Sequence, residues 1–210
     1  SIIEWVLDNI DITDVEGIYI PYHKSLSSYF FESNINKLYP SYPLHFYCLN
    51  QNTKGAADTV YQTLKYFKSV NEIDLTLPII SLDGDNFYTI NIMNLWDNTN
   101  KVFVFNDYQS NPIYSYVKLK NESSKDNKLI EHIKEKEKIS NLACTGAYAF
   151  KTGNLLLHYC GKILTTNKHF DSPITINSEY YMSNMIQIMI ENKELFTIEI
   201  IPEKSYNCLG

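Results

Sequence analysis

Short apolar segments alternate with helical segments over the first 82 residues of the chain. Residues 17–21, 44–48 and 77–82 are apolar runs of strand length. Residues 2–10 and 56–69 instead place their apolar side chains three and four positions apart, which is the period of a helix. This alternation is typical of a mostly parallel sheet covered by helices on both faces. We therefore predict an α/β fold.

The rest of the chain continues this pattern without an obvious boundary. Residues 101–105, 114–119, 144–150 and 195–201 are further strand candidates, and residues 154–163 and 180–192 have a helical period. No internal repeat and no flexible linker interrupts the 210 residues. We predict a single domain over residues 1–210.

Charge and cysteine content narrow the class of protein. The net charge of −6 argues against nucleic acid as a partner, and all 18 basic residues are lysine, so a phosphate site must use lysines and backbone amides. The four cysteines are far apart and form no C-x-x-C pair, which favours a reduced, intracellular protein. The sequence has neither a signal-peptide pattern nor a membrane-length apolar run. We predict a cytoplasmic protein without a membrane partner.

Two carboxylates one residue apart follow the apolar segment 77–82. Asp83 and Asp85 would lie at the carboxyl end of a buried strand, which is the edge where open α/β sheets bind ligands. Paired hard oxygen ligands there suit Mg²⁺ or Mn²⁺ bound with nucleotide phosphates. Because Asp and Gly also favour turns, the same three residues can equally be a simple turn that ends the strand.

A polar turn joins the strand at 44–48 to the helix at 56–69. Gly55 permits a close backbone approach, and Ala56 and Ala57 leave room for a flat base or a phosphate at the start of the helix. Turns of this composition often only connect two elements.

A charged run precedes a strand that contains a glycine. Glu135 and Lys136 lie within residues 131–138, and such runs are usually solvated surface. Gly146, inside the strand at 144–150, indicates a bulge or a close approach of a ligand.

In this order, the motifs resemble those of the sugar-phosphate nucleotidyltransferases. The segment 51–57 is similar to the base-binding turn of that family, Asp83 and Asp85 to its D-x-D metal motif, and residues 135–150 to its E-K and G-x-Y-x-F motifs. Further segments that carry the resemblance are residues 1–7, Glu179 with residues 180–182, and residues 208–210. The resemblance implies a glycosyltransferase-A-like fold, Rossmann-like with three α/β/α layers and a mostly parallel, mixed central sheet.

The resemblance also implies an activity and a set of roles. The reaction would transfer a nucleoside monophosphate from a nucleoside triphosphate to a sugar phosphate or similar phospho-alcohol, releasing pyrophosphate, in nucleotide-sugar and polysaccharide biosynthesis. Mg²⁺ or Mn²⁺ would be the cofactor. The implied roles are metal binding by Asp83 and Asp85; nucleotide binding by Gln51, Lys54, Gly55, Ala56 and Ala57; acceptor binding by Glu135, Lys136, Gly146 and Glu179; and catalysis by Lys136 and Asp83.

The chain departs from the family pattern in two places. Family members begin with a strand and a Gly-rich loop, which no residues before Ser1 supply here, and Cys208 stands where many members have a second metal-binding Asp. We therefore expect a piece of a longer enzyme, fused to or associated with further domains. A metal-dependent glycosyltransferase of the same fold and a non-catalytic nucleotide- or sugar-binding domain are the alternatives.

Overall fold

The computed structural model describes residues 1–120, 128–165 and 179–209. Its helices are α1 (Ile2–Asp8), α2 (Phe31–Leu38), α3 (Ala56–Ser69), α4 (Gly153–Thr165) and α5 (Met182–Glu191). Its strands are β1 (Ile18–His23), β2 (Leu44–Leu49), β3 (Ile79–Leu82), β4 (Asn86–Tyr88), β5 (Lys101–Asn106), β6 (Ser115–Leu119), β7 (Ile130–Glu135), β8 (Leu142–Phe150), β9 (Thr197–Ile200) and β10 (Tyr206–Cys208). None of the helices in these ranges is long and apolar enough to cross a bilayer.

Six strands form the central sheet. They follow the order β7-β6-β8-β5-β9, and β3 joins β8. Strands β3, β5, β6 and β9 run in one direction, and β7 and β8 run against them. The prediction of an α/β fold with a mixed, mostly parallel sheet is confirmed. Because the reversed strand β8 lies between the others, most neighbouring pairs within this sheet are nevertheless antiparallel.

Three helices cover one face of the central sheet. The apolar sides of α3, α4 and α5 pack together and onto the sheet, with Leu64, Leu156 and Ile186 among the buried residues. Burial of an aliphatic side chain of this size contributes about 1.5–3 kcal/mol to folding. This layer is the main core of the protein, and it fixes where α5 begins relative to the strand ends.

Strands β1 and β2 form a separate parallel pair that is covered on both faces. On one face, the ring of Phe67 in α3 lies 4.8 Å from that of Tyr19. On the other face, Phe31 of α2 packs edge-on against Phe46, with ring centroids 6.0 Å apart. The helix–sheet–helix layering predicted for the first part of the chain is present here.

The second face of the central sheet is covered by a short strand pair that the sequence analysis did not predict. Strands β4 and β10 pair antiparallel and place Cys208 directly opposite Asn86. Helix α1 packs outside them, with the rings of Trp5 and Phe87 5.0 Å apart. A period of two cannot be recognised over three residues, so neither strand has a clear sequence signal.

The charged run at 131–138 is largely strand β7, not only solvated surface. Ile133 is 1% exposed, and its N–H donates to Gln187 Oε1 of α5 at 3.0 Å. Along its other edge β7 pairs with β6, so that Ser115 lies opposite Glu135.

Candidate active site

Asp83 lies where β3 ends, against the reversed strand β8. Its N–H donates to the Gly146 carbonyl at 3.0 Å. Gly146 has a φ of +80°, and a Cβ at this position would stand 2.3 Å from Asp83 Oδ2. Strand β8 bulges here, opposite Phe103. The close approach that the sequence predicts at Gly146 is therefore made by the carboxylate of Asp83, and a glycine is needed both for the backbone angle and for the space.

Three carboxylates are gathered around this point. Burial, together with the charges of Asp85 and Glu135, raises the pKa of Asp83 to about 7. No ion pair to any of these three carboxylates occurs within the described ranges. The arrangement concentrates negative charge that a bound cation would neutralise.

The donor set beside Asp83 fits a magnesium-like ion. Asn86 is 5% exposed, and its Nδ2 donates to the Thr145 carbonyl at 3.2 Å, while its Oδ1 is buried without a hydrogen-bond partner. Within the described residues, no three His, Cys, Asp or Glu side chains form a metal-binding group. Mg²⁺ is usually held by only one or two carboxylates together with water and substrate phosphates, so Asp83 and Asp85 suffice for such an ion.

Glu135, at the end of β7, is held by two serine hydroxyls. Ser115 of β6 and Ser183 of α5 both donate to its Oε2, the latter at 2.6 Å. Both serines are buried, with 7% and 1% of their surface exposed. Sequence reasoning missed these partners. Ser183 could have been noticed, because it is a polar residue among the apolar positions of its helix, and a buried polar group needs a hydrogen-bond partner.

Lys136 follows Glu135 and turns toward the start of α5. Its backbone has a φ of +51°, which ends the strand, and its N–H donates to the Tyr114 carbonyl at 2.9 Å. The exposed side chain places Nζ 5.2 Å from the centre of the Tyr181 ring. Burial together with Glu179 and Glu135 raises the pKa of Tyr181 to about 12. The structure thus brings Glu135, Lys136 and Glu179 to the start of α5.

The turn at 51–57 contacts the same segment from the other side. The Tyr180 N–H donates to the Lys54 carbonyl at 2.7 Å, and the Ala57 N–H donates to the Tyr180 carbonyl at 3.0 Å. Gly55 has a φ of +103°, and a Cβ there would stand 2.8 Å from both Tyr180 N and O. The backbone of Tyr180 therefore makes the close approach at Gly55. Ala57 is fully buried in the core, whereas Ala56 is exposed.

The predicted site residues lie along one connected track. The 51–57 turn contacts Tyr180, and the neighbouring Tyr181 contacts Lys136. Glu135 precedes Lys136 in the chain, and its charge affects Asp83, which lies against Gly146. Gln51 and Lys54 are exposed on the turn, and Asp85 is exposed at the other end. The residues that sequence reasoning did not name are Asn86, Ser115, Tyr181 and Ser183.

Lys138 does not belong to this track. Its Nζ donates to the Asp107 carbonyl at 3.0 Å and lies 3.8 Å from Asp107 Oδ2, while Tyr116 donates to the same carboxylate oxygen at 2.6 Å. Asp107 is only 3% exposed. A surface depression of about 600 Å³ beside Lys138 is lined by Leu119 and residues 138–142, and it contains no predicted site residue. Lys138 is therefore a structural lysine, in contrast to Lys136.

Solved structures of nucleotidyltransferases share this architecture. A nucleoside-diphosphate-sugar pyrophosphorylase from Vibrio cholerae matches with a TM-score of 0.81 at 16% identity, over 100% of this chain and 83% of that one. CTP:phosphocholine cytidylyltransferase from Streptococcus pneumoniae matches with a TM-score of 0.61 at 12% identity, over 98% and 76%. The inositol-1-phosphate CTP transferase from T. maritima gives 0.59 at 14% identity, over 89% and 66%.

The comparisons by sequence found no match, in contrast to the comparison by structure. No protein-family model matches the chain, and no curated protein matches it significantly. The sugar-phosphate nucleotidyltransferase-like fold that the motifs imply is nevertheless confirmed by the solved structures.

Proposed function

We propose that this chain is a Mg²⁺-dependent nucleotidyltransferase domain. A phosphate oxygen of a sugar phosphate or similar phospho-alcohol attacks the α-phosphorus of a nucleoside triphosphate, and pyrophosphate leaves. The observation that supports this proposal is the connected track from the 51–57 turn through Lys136 and Glu135 to Asp83. It provides, in sequence along one surface, groups suited to a nucleotide, a phosphate and a cation. The activity would be cytoplasmic and would supply nucleotide sugars for polysaccharide synthesis.

Each part of the track has a role in this reaction. The 51–57 turn, with Gln51 and Lys54 exposed, receives the nucleotide, and Lys136 binds the acceptor phosphate while Glu135 and Glu179 accept hydrogen bonds from the acceptor. Asp83 and Asp85 would hold Mg²⁺, which neutralises phosphate charge when bound. The acceptor oxygen is already anionic, so no strong general base is required, and catalysis is mainly positioning and charge neutralisation.

Lys136 and Lys134 form a matched pair for testing this proposal. Pyrophosphate release would be measured with CTP, UTP, dTTP, ATP or GTP, each with glucose 1-phosphate or phosphocholine, in the presence of Mg²⁺. Lys136→Met should weaken use of the acceptor by roughly 10- to 100-fold, because a charge-assisted hydrogen bond to phosphate is lost. Lys134→Met, two residues earlier on β7, should do little. Equal effects of the two substitutions would remove Lys136 from the acceptor site.

The alternatives give different results in companion assays. A glycosyltransferase of the same fold would release nucleoside diphosphate from a nucleotide sugar and no pyrophosphate from the triphosphate. A non-catalytic binding domain would show a thermal shift with nucleotide and Mg²⁺ but no turnover with any pair of substrates. Pyrophosphate release that requires both a triphosphate and a phosphorylated acceptor is the result that the proposal requires.

A further inference from the structure

The carboxylate of Glu135 is fixed through one of its two oxygens. The hydroxyls of Ser115 and Ser183 converge on Oε2 from a strand and from a helix, and Oε1 accepts no hydrogen bond within the described residues. The Ser115 hydroxyl has one proton, and that proton is used toward Glu135. Both donors are therefore committed to the same oxygen, and the other oxygen remains available.

A free glutamate side chain has several rotamers. The two hydrogen bonds at Oε2, which together form a tether, leave Glu135 far fewer. The tether places the carboxylate where its charge affects two neighbouring groups. Glu135 contributes to the raised pKa of Asp83 at the end of β3 and to that of Tyr181 at the start of α5.

We propose that Ser115 and Ser183 are positioning residues, which hold Glu135 Oε2 so that Oε1 is presented to a hydroxyl or ammonium group of the acceptor. The identity of the ligand in this inference rests on the proposed function, whereas the tether of Glu135 is independent of it. An acceptor of this kind is a phosphate monoester with a hydrogen-bond donor a few bonds from the phosphate, because Lys136 takes the phosphate next to Glu135.

Steady-state kinetics test the role of the two serines. Ser115→Ala and Ser183→Ala should each raise KM for the acceptor about 10-fold, while kcat and KM for the triphosphate change by less than about 2-fold, as expected for loss of a hydrogen bond to a charged group. Ser115→Thr retains the hydroxyl in a strand, where a β-branched residue is well tolerated, and should restore the acceptor KM. A parent-like acceptor KM in both alanine variants would overturn the proposal.

A matched serine controls for loss of packing. Ser140 donates to the Val117 carbonyl at 2.5 Å and accepts from the Leu142 N–H, away from Glu135. Ser140→Ala should leave the acceptor KM unchanged. If it raised the acceptor KM as much as Ser183→Ala does, the effect of the serines would be one of general stability and the positioning role would be lost.

A spectroscopic measurement keeps the tether testable even without turnover. The ¹³Cδ resonance of Glu135, assigned by its disappearance in Glu135→Gln, should move in both alanine variants and return in Ser115→Thr. An unmoved resonance in Ser115→Ala and Ser183→Ala would overturn the tether. Absence of turnover by the parent protein, with the resonance behaving as expected, would instead overturn the proposed function and leave the tether standing.

Discussion

The two ends of the track differ in how the protein holds them. At the carboxylate end, formed by Asp83, Glu135 and Gly146, polar groups are fixed by buried neighbours from β6, β8 and α5. At the turn end, residues 51–57, the backbone is fixed by Tyr180, but the side chains of Gln51 and Lys54 are exposed and make no hydrogen bond within the described residues. Groups that would meet the reacting atoms are preorganised, whereas groups that would meet the nucleotide are left in solvent.

Substitution of Gly146, at the carboxylate end, should cause the largest loss of stability among the variants considered. Gly146→Ala imposes a side chain at a φ of +80° and a Cβ only 2.3 Å from Asp83 Oδ2. Backbone strain and overpacking together should cost about 4 kcal/mol in the free energy of unfolding. Urea denaturation of the variant checks this value, with Gly84→Ala as the control because a Cβ at Gly84 meets nothing within 4 Å. Similar losses for the two glycines would contradict the tight contact at Gly146.

Asp83→Asn should change how stability depends on pH. A carboxyl with a pKa of about 7 in the folded state, and an ordinary one near 3.8 when unfolded, contributes stability below pH 4 that is lost as the pH rises through 7. The asparagine variant lacks this loss and should be about 2–3 kcal/mol more stable than the parent at pH 8 without a divalent ion, and no more stable at pH 4.

Chemical denaturation at both pH values, with and without Mn²⁺, measures this difference. Mn²⁺ should recover stability in the parent at pH 8 and should do much less in Asp83→Asn. Parallel pH profiles for the two proteins would show that Asp83 is an ordinary surface acid.

Lys138 lies outside the track and stabilises the surroundings of Asp107. Lys138→Met leaves the buried Asp107 without its cation and removes a hydrogen bond to the Asp107 carbonyl. The free energy of unfolding should therefore fall by about 2 kcal/mol. Acceptor binding should change far less than in Lys136→Met. Thermal denaturation at pH 7 distinguishes the two lysines, and a Lys138→Met protein as stable as Lys134→Met would refute the structural role.

The smallest effect on stability is expected at the turn end. Gln51→Ala and Lys54→Ala remove exposed side chains and should change the free energy of unfolding by less than about 0.5 kcal/mol. They should still weaken nucleotide binding, measured by calorimetry, by several-fold. Gly55→Ala is the opposing control, because its Cβ would meet the Tyr180 backbone at 2.8 Å and should lower stability. Unchanged nucleotide affinity in Gln51→Ala and Lys54→Ala would make the turn a connector only.

Sequence patterns predicted the parts of the fold that repeat over several turns or strand residues. The period of α3, the apolar run of β3 and the buried strand β8 are all long enough to leave such a pattern. The three-residue strands β4 and β10 are not, and the alternation of charge in residues 131–138 concealed β7, whose apolar positions are only Ile130 and Ile133. The antiparallel pairs of β8 are formed with segments that are distant in sequence, so their direction cannot be predicted from a local sequence pattern.

Within the site, the sequence indicated residue types but not their neighbours. Asp83 could be named because it follows a buried strand, and Gly146 because it lies inside one. Glu135 was named only through the resemblance to the E-K motif. That Gly146 makes room for Asp83, and that Gly55 makes room for Tyr180, follows from packing between segments more than 60 residues apart. For the same reason Lys138 has the sequence context of a solvated lysine, although its partner Asp107 is buried 31 residues away.

The contacts along β7 also bear on whether its edge can pair with another molecule. An unpaired strand edge can recruit the edge of another molecule and begin a sheet that grows between chains. Here the Ile133 N–H is already taken by Gln187, and Ile130 donates to the Phe196 carbonyl beside β9. Charged side chains at Glu131 and Lys134 flank these positions. The strand that carries Glu135 is thereby shielded from intermolecular β-pairing.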